Sequence, residues 1–409
     1  MGARKTIGVL FGGRSVEHEI SIITALELIS AADSLKFKVV PVYIAADGRW
    51  FTGEALLDPK FYRALPASLA ALGEVTVLPK PGSGGLTVIR RGGGLPGTRM
   101  IRGWFNRLKG VETIPIDVFV PVFHGQFGED GCIQGLLELA DVPFSSSDPL
   151  PSAVAMNKYL CKVIAERNGV PVLPAAVVQK DQFFGATDAL IAAIRSTPGL
   201  EAFPLFIKPC NLGSSIGIGR AQNETELLAA LAKVFRFDTQ ALIEPCVTKM
   251  LEINISVIDG PNSSEPRASV VETPVSQSGT LTYEEKYMRG GKSKMAPAQG
   301  MASLIRVIDP ADLDSEIKKH VTQYATTTYR ALGCSGVVRF DFILDLEEGK
   351  LFFNELIPLP GAFSHYLWVK SKPRLLYTEL VTQIVESAVK RKTLKGTLER
   401  DVGFKALFR

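Results

Sequence analysis

The strongest hydrophobic signals along the chain are short apolar runs separated by amphipathic stretches. Thr6-Ile7-Gly8-Val9-Leu10-Phe11 has the length and character of a buried parallel strand, and Gly12-Gly13-Arg14-Ser15 follows as a turn. A helical pattern then runs from about Val16 to Ala31, with Ser15 as its N-cap. Apolar runs at 37–44 and 117–123 predict two more strands, and a helix is expected from Ile133 to Ala140. This strand–helix alternation argues for a parallel α/β sheet. The Pro/Ser-rich stretch 143–149 marks a first boundary, so the chain divides into 1–150, 151–245 and 246–409. In the second part the pattern predicts a helix from 155 to about 168, a strand at 203–209, a helix at 224–236 and a strand at 241–245. The third part reads as strands at 252–258 and 269–273, a long helix at about 310–332 and a C-terminal helix at about 374–392. Between those helices lie two apolar strands, 337–344 and 351–358, joined by the turn Glu347-Glu348-Gly349-Lys350. Alternation puts Arg339 and Asp341 on one face of the first, and Glu355 and Ile357 on one face of the second.

Composition narrows the class without naming it. With 409 residues, 46% hydrophobic and 22% charged, the sequence suits a multidomain globular protein with ample core. A net charge of +4, with no basic arm and no acidic tail, gives no sign of a nucleic-acid partner. Five scattered cysteines form no CxxC pair, so neither a disulfide framework nor a zinc site is indicated, and a reducing cytoplasm is expected. No signal-peptide pattern precedes the first strand and no apolar run reaches membrane-spanning length, so no membrane partner is expected. The glycine-rich and basic stretch 80–113 reads as a surface insertion with no chemistry attached.

Several loops carry candidate chemistry. His124-Gly125-Gln126-Phe127-Gly128-Glu129-Asp130-Gly131 follows a strand at the carboxyl edge of the expected parallel sheet, where ligands of such sheets bind. A structural histidine and a functional one are both open there. Asn211 to Gly219 is a glycine/serine hairpin whose small residues let backbone N–H groups and hydroxyls approach phosphate. Asp341, Glu355 and Arg339 on adjacent strands can hold a hard cation against phosphate oxygens, or be the solvated charges of an ordinary hairpin. The glycines after the first strand do not spell G-x-G-x-x-G. Gly291-Lys292-Ser293 is not a P-loop, because Lys286 stands where its first glycine belongs.

In this order the segments resemble the D-alanine–D-alanine ligases of the ATP-grasp superfamily. Residues 12–21 match the family's GG-x-S-x-E-x-E-[IV]-S signature, 124–131 its HG-x-x-GEDG loop, and 213–217 its GSS-[VI]-G loop. Glu285-Lys286-Tyr287 resembles the E-x-KY segment, and Arg339-Phe340-Asp341 the R-[IFV]-D strand. The resemblance implies an α/β and α+β, three-domain ATP-grasp ligase with a parallel α/β N-terminal domain. It further implies a cytoplasmic homodimer that uses ATP, with magnesium or manganese, to join small amino acids through an acyl phosphate.

The resemblance also distributes roles. Lys158, Lys208 and Ser215 would meet the nucleotide phosphates, Glu244 and the backbone of Val247 the adenine edge, and Glu252 the ribose. Asp341 and Glu355 would hold the metal. Arg339 and the backbone N–H of Gly361 would stabilise the tetrahedral intermediate, and Lys286 would meet the transferred phosphate. Glu17, linked to Ser214 and Tyr287, would hold the ammonium group of the first amino acid, with His124 near its carboxylate.

Two departures bear on the acceptor and the metal. Ile357 replaces an asparagine that is a metal ligand in the family, and Asn354 is not expected to substitute, since one step along a strand reverses the face. Tyr366 stands where the family carries a serine that grips the second substrate's carboxylate, while His365 and Trp368 suit core positions. Asn157 precedes Lys158 where Asp is usual. Three functions remain in view: D-alanine–D-alanine ligation, a related ligation onto a different acceptor, and a nucleotide-binding protein with weakened catalysis.

Overall fold

The computed structural model describes residues 4–89, 112–185, 187–260, 265–275 and 306–399. The N-terminal apolar run forms β1 (Lys5–Gly12), which pairs in parallel with β2 (Phe37–Ile44) and with β7 (Val118–Pro121). Between β2 and β7 the chain adds β3 (Trp50–Thr52), β4 (Gly73–Thr76), β5 (Gly85–Val88) and β6 (Thr113–Pro115), all antiparallel. The seven-stranded order is β6-β5-β4-β3-β2-β1-β7. The expected parallel sheet is therefore only its centre. The antiparallel wing escaped the sequence pattern because its strands are three or four residues long, too short for alternation to register. Its last two strands come from the two ends of the stretch read as a surface insertion.

Helix α1 (His18–Ala31) packs on β1 and begins three residues after Ser15. The Ser15 hydroxyl instead accepts the Glu17 N–H at 3.1 Å within the preceding turn. Helix α2 (Cys132–Leu139) matches its expected span to one residue. The helix expected over 155–168 is two, α3 (Pro149–Met156) and α4 (Lys158–Arg167). Asn157 breaks them with extended backbone, and its Oδ1 caps α4 by accepting the Leu160 N–H at 3.0 Å. That cap puts Lys158 at the first turn of a new helix.

The second sheet, ordered β10-β9-β11-β8, comprises β8 (Ala176–Gln179), β9 (Leu205–Pro209), β10 (Gly219–Ala221) and β11 (Gln240–Pro245). Helices α5 (Thr187–Arg195) and α6 (Glu224–Val234) cover one face, burying Ile194, Leu205, Ile207, Leu227 and Val234. The third sheet is β14-β13-β12-β15-β16, antiparallel throughout: β12 (Met250–Ile258), β13 (Arg267–Pro274), β14 (Arg306–Ile308), β15 (Val338–Asp345) and β16 (Lys350–Ile357). On its covered face Phe340, Phe342 and Phe353 pack with Ile253, Ile255 and Val321 beneath α7 (Ser315–Leu332). Its other face is polar, and α8 (Tyr377–Gly396) joins the core of the first sheet through Leu380, Val381 and Ile384. Among the described residues no helix is long and apolar enough to cross a membrane.

Candidate functional site

A cleft opens between the second and third sheets. Lys158, Lys208, Ser215, Glu244, Val247 and Glu252 all line it, so the six residues assigned to a nucleotide converge. The Lys158 ammonium donates to Leu212 O at 2.6 Å and pairs with Glu355 Oε2 at 3.0 Å. Lys208 lies 2.7 Å from Glu244 Oε2 and donates to Asn354 Oδ1 at 2.8 Å. Glu244 is buried, and its second oxygen is 2.5 Å from Lys162 Nζ. Burial alone would raise its carboxyl, but the Lys162 and Lys208 ammoniums outweigh burial and hold it below the ordinary range. Its side chain thus faces two lysines.

The hairpin β15–β16 forms one wall. Arg339 and Asp341 share one face of β15 as expected, that of the cleft-lining Ile343, and form a buried fork, Nε to Oδ1 and Nη2 to Oδ2, each at 2.7 Å. Asp341 pairs across the ladder with Glu355, and Arg339 with Ile357. The register then shifts, because Phe342 pairs with Phe353 and leaves Asn354 as an extra residue. That bulge corrects the sequence expectation for Asn354. It lets two consecutive side chains, Asn354 and Glu355, face the cleft while Phe353 and Leu356 stay in the core.

No cluster of three or more His, Cys, Asp or Glu suited to a metal occurs among the described residues. The donors at this wall are instead Asp341, Glu355 and the Asn354 amide oxygen. An all-oxygen set of this size fits magnesium, which keeps several waters and takes one or two carboxylates beside phosphate. Asp341 Oδ1 meets Arg339 and, with its amide turned, Asn254 at 3.2 Å, while Oδ2 keeps a lone-pair direction beyond its bond to Arg339.

Three loops meet at the end of the cleft nearest the first sheet. Glu17, buried just before α1, receives a hydrogen bond from the Ser214 hydroxyl at Oε1. Ser214 and Ser215 are both in the left-handed region, at φ 55° and 57°, which turns the 213–217 loop back towards the first sheet. Gly125 (φ +78°) allows this approach, since a Cβ there would lie 2.7 Å from Glu17 Oε2. Lys286 and Tyr287 lie outside the described residues.

His124 is buried, with Nε2 3.0 Å from Thr24 Oγ1. Burial, then the Arg339 guanidinium, pulls its imidazole down to about 4 from 6.5, so the ring is neutral at pH 7 and offers an N–H rather than a charge. The unfolded chain takes up that proton near its ordinary value. The stability contributed by the neutral ring is therefore lost as pH falls through the window between them, about 3 kcal/mol at its acid end. His124→Asn should flatten this slope in urea melts between pH 7 and 4.5; an unaltered slope would overturn the assignment.

Glu129 was not singled out by sequence although it stands in the same loop. It is buried and accepts the Gly125 N–H at 2.5 Å and the Leu359 N–H at 3.3 Å, tying the loop to the strand end that leads to Gly361. Burial and then the Glu17 carboxylate push its carboxyl up to about 8, against the pull of those two amides.

Gly361 is buried at the foot of the hairpin, and Ala362, Phe363 and Ser364 follow with φ of 49–50°, a left-handed turn rare for residues with a Cβ. Tyr366 donates its hydroxyl to Glu272 Oε1 at 3.1 Å, and Arg306 stacks 3.9 Å over its ring while pairing with Glu272 Oε2 at 3.0 Å. A substrate carboxylate would have to take the phenolic proton away from Glu272. Trp368 is core, as expected, and His365 stacks on Tyr377 at 4.3 Å. Glu272 and Arg306 carried no local sequence signal; only the ladder order brings them beside Tyr366. Lys162 had one, its spacing of four from Lys158 on the same helix face.

Comparisons with known proteins agree over nearly the whole chain. Sequence profiles described as D-ala D-ala ligase N-terminus and D-ala D-ala ligase C-terminus match residues 6–147 and 164–386. The D-alanine–D-alanine ligase A of Bradyrhizobium diazoefficiens is 35% identical over 404 residues, spanning 98% of this chain and 99% of its own. The D-alanine–D-alanine ligase of Chloroherpeton thalassium is 31% identical over 393 residues, 95% of this chain and 97% of its own. Among solved structures, the D-alanine–D-alanine ligase of Coxiella burnetii superposes with a TM-score of 0.72 at 24% identity, covering 97% of both chains. The VanG D-Ala:D-Ser ligase of Enterococcus faecalis superposes at 0.73 with 27% identity, covering 94% of this chain and all of its own.

Proposed function

The chain belongs to the D-alanine–D-alanine ligase family, a family of ATP-dependent ligases, and on that premise we propose that it joins D-alanine to D-alanine for peptidoglycan precursor synthesis. A carboxylate oxygen of the first amino acid attacks the γ-phosphorus of ATP, the bond to the ADP oxygen breaks, and an acyl phosphate forms. The amine of the second amino acid, as its free base, then attacks the acyl carbon. The tetrahedral adduct expels phosphate and the nitrogen gives up its proton.

The residues divide the work. Lys158 and Lys208 neutralise the phosphates, with Ser215 in the loop that covers them. Val247 and the Glu244 backbone meet adenine, and Glu252 the ribose. Glu17 holds the first ammonium and neutral His124 donates to the adjoining carboxylate. Arg339, fixed by Asp341, and the Gly361 N–H face the developing oxyanion, where donors already in place need no reorganisation. The observation that carries this reading is the hydrogen bond from Ser214 to Glu17, which joins the phosphate-side loop to the ammonium-side carboxylate and shields an acyl phosphate between them from water.

Magnesium, or manganese in its place, would be held by Asp341 and Glu355, and when bound it neutralises charge on the phosphates. Because Ile357 brings an apolar side chain where an amide oxygen would serve, the protein should need more magnesium than a ligase carrying that amide. Ile357→Asn should lower the half-activating concentration by about tenfold, measured by titrating magnesium at fixed ATP. Full wild-type activity at low magnesium would count against the assignment.

A second reading, ligation onto a different acceptor, is favoured by Glu272 and Arg306 holding Tyr366 beside the acceptor face. An ADP-release screen with single amino acids and pairs, followed by mass analysis, separates the two. D-Ala-D-Ala should dominate; release only with another acceptor would establish the second reading, and ATP binding without amino-acid-dependent release would overturn both. The same reading makes the protein a cytoplasmic homodimer, which sedimentation of the purified chain checks.

A further inference from the structure

The geometry points to Lys162 as a positioning residue for nucleotide binding, acting through Glu244 on Lys208 without touching the ligand. This rests on the reading of the cleft as an ATP site. Lys162 lies one helical turn beyond Lys158 on α4, yet its side chain turns away from the cleft and is 3% exposed. Its ammonium is 2.5 Å from Glu244 Oε1 and donates to Phe353 O at 3.3 Å, at the strand bulge that presents Asn354 and Glu355. The other Glu244 oxygen is 2.7 Å from Lys208 Nζ, which also donates to Asn354 Oδ1.

Glu244 is thus a buried carboxylate shared by two ammoniums, of which only Lys208 lines the cleft. Sharing has an electrostatic consequence. With Lys162 present, the trio carries an excess positive charge, and that excess is expressed at Lys208, the member that faces the phosphates. Without it, Glu244 and Lys208 close into a neutral pair, and the cleft loses a charge in a medium of low dielectric where charges act strongly. Lys162 also links three elements that must agree on the phosphate position: α4 with Lys158, β11 with Glu244, and the bulge of β16.

The test compares variants by calorimetric binding of ATP in magnesium buffer without amino acid, and by steady-state kinetics. Lys162→Met should weaken ATP binding and raise KM for ATP at least tenfold while changing kcat less than threefold, and Lys162→Arg should restore both. The deciding variant is Lys162→Met combined with Glu244→Gln. Removing the carboxylate frees the Lys208 charge, so the double variant should bind ATP more tightly than Lys162→Met alone. Wild-type affinity in Lys162→Met would overturn the inference, as would weakened binding that neither Arg nor the second substitution recovers, since that marks a merely structural lysine. A wild-type protein that binds no ATP would overturn it together with the reading of the cleft.

Discussion

Asp341→Asn is expected to lower kcat by about a thousandfold or more while leaving ATP bound. The carboxylate is buried and gives both oxygens to Arg339, so the substitution acts on two functions together. Asparagine keeps the shape but turns one acceptor into a donor, which then faces Arg339 N–H groups across a bond now 2.7 Å long. The fork opens, and the guanidinium intended for the oxyanion loses its orientation. The loss of a negative oxygen also removes one of the two carboxylates assigned to magnesium. Together these remove about 4 kcal/mol of transition-state stabilisation, since each 1.4 kcal/mol is tenfold in rate. ATP affinity should survive better, because Lys158 and Lys208 contact other partners. A buried guanidinium without its counter-charge costs about 3–5 kcal/mol of stability, so the variant should also melt earlier. Single-turnover ADP release, calorimetric ATP binding and a thermal melt separate the three effects. Unchanged kcat would remove both the metal and the oxyanion assignments.

The same hairpin shows how far the sequence could be read. Alternation sufficed to put Arg339, Asp341, Glu355 and Ile357 on one face, because period two is a property of the strand itself. It could not reveal the bulge at Asn354, which depends on how β16 pairs with β15 and has no marker in an apolar run. Long strands and helices with clear periodicity were legible, whereas β3 to β6, each three or four residues, were not. The break at Asn157 was hidden for a related reason: the stretch is helical by pattern on both sides, and only the backbone reveals that the side chain caps a second helix. Among site residues, those inside glycine-rich loops announced themselves. Glu272 and Arg306 did not, because each acts through a partner distant in sequence, and Lys162 offered only its spacing from Lys158. Glu272, Asn254, Asp341 and Glu355 lie in one row across four strands, a relation that exists only once the ladder has formed.

Glu17→Gln is the second change with a large expected effect, a loss of about a hundredfold in kcat/KM for the first amino acid. Glu17 is held between Ser214 on one side and Gly125 on the other, in a pocket with no room for a larger group. Glutamine fits that space but presents a neutral amide to an ammonium ion, and an interaction between buried opposite charges becomes one between a charge and a dipole. Its N–H₂ can also turn towards Ser214 and reverse the direction of that hydrogen bond. Ser214→Ala deletes only the hydroxyl and should cost about tenfold, through looser closure of the loop. The two losses should not multiply. Both act on one contact, so the double variant should be only slightly worse than Glu17→Gln, with a coupling of about 1 kcal/mol. A third reading comes from Glu129, whose carboxyl burial and the Glu17 charge push up to about 8 from 4.5. Because the unfolded chain releases that proton first, the contribution of Glu129 to native stability falls as pH climbs through this window, opposite in sign to that of His124 over their overlap. Removing the Glu17 charge should shrink that loss, visible between pH 5 and 8 as a urea midpoint that falls less, or rises more, with pH than the wild type's. Independent, multiplying losses in kcat/KM, with an unchanged pH slope, would show that Glu17 and Ser214 do not form the closing contact.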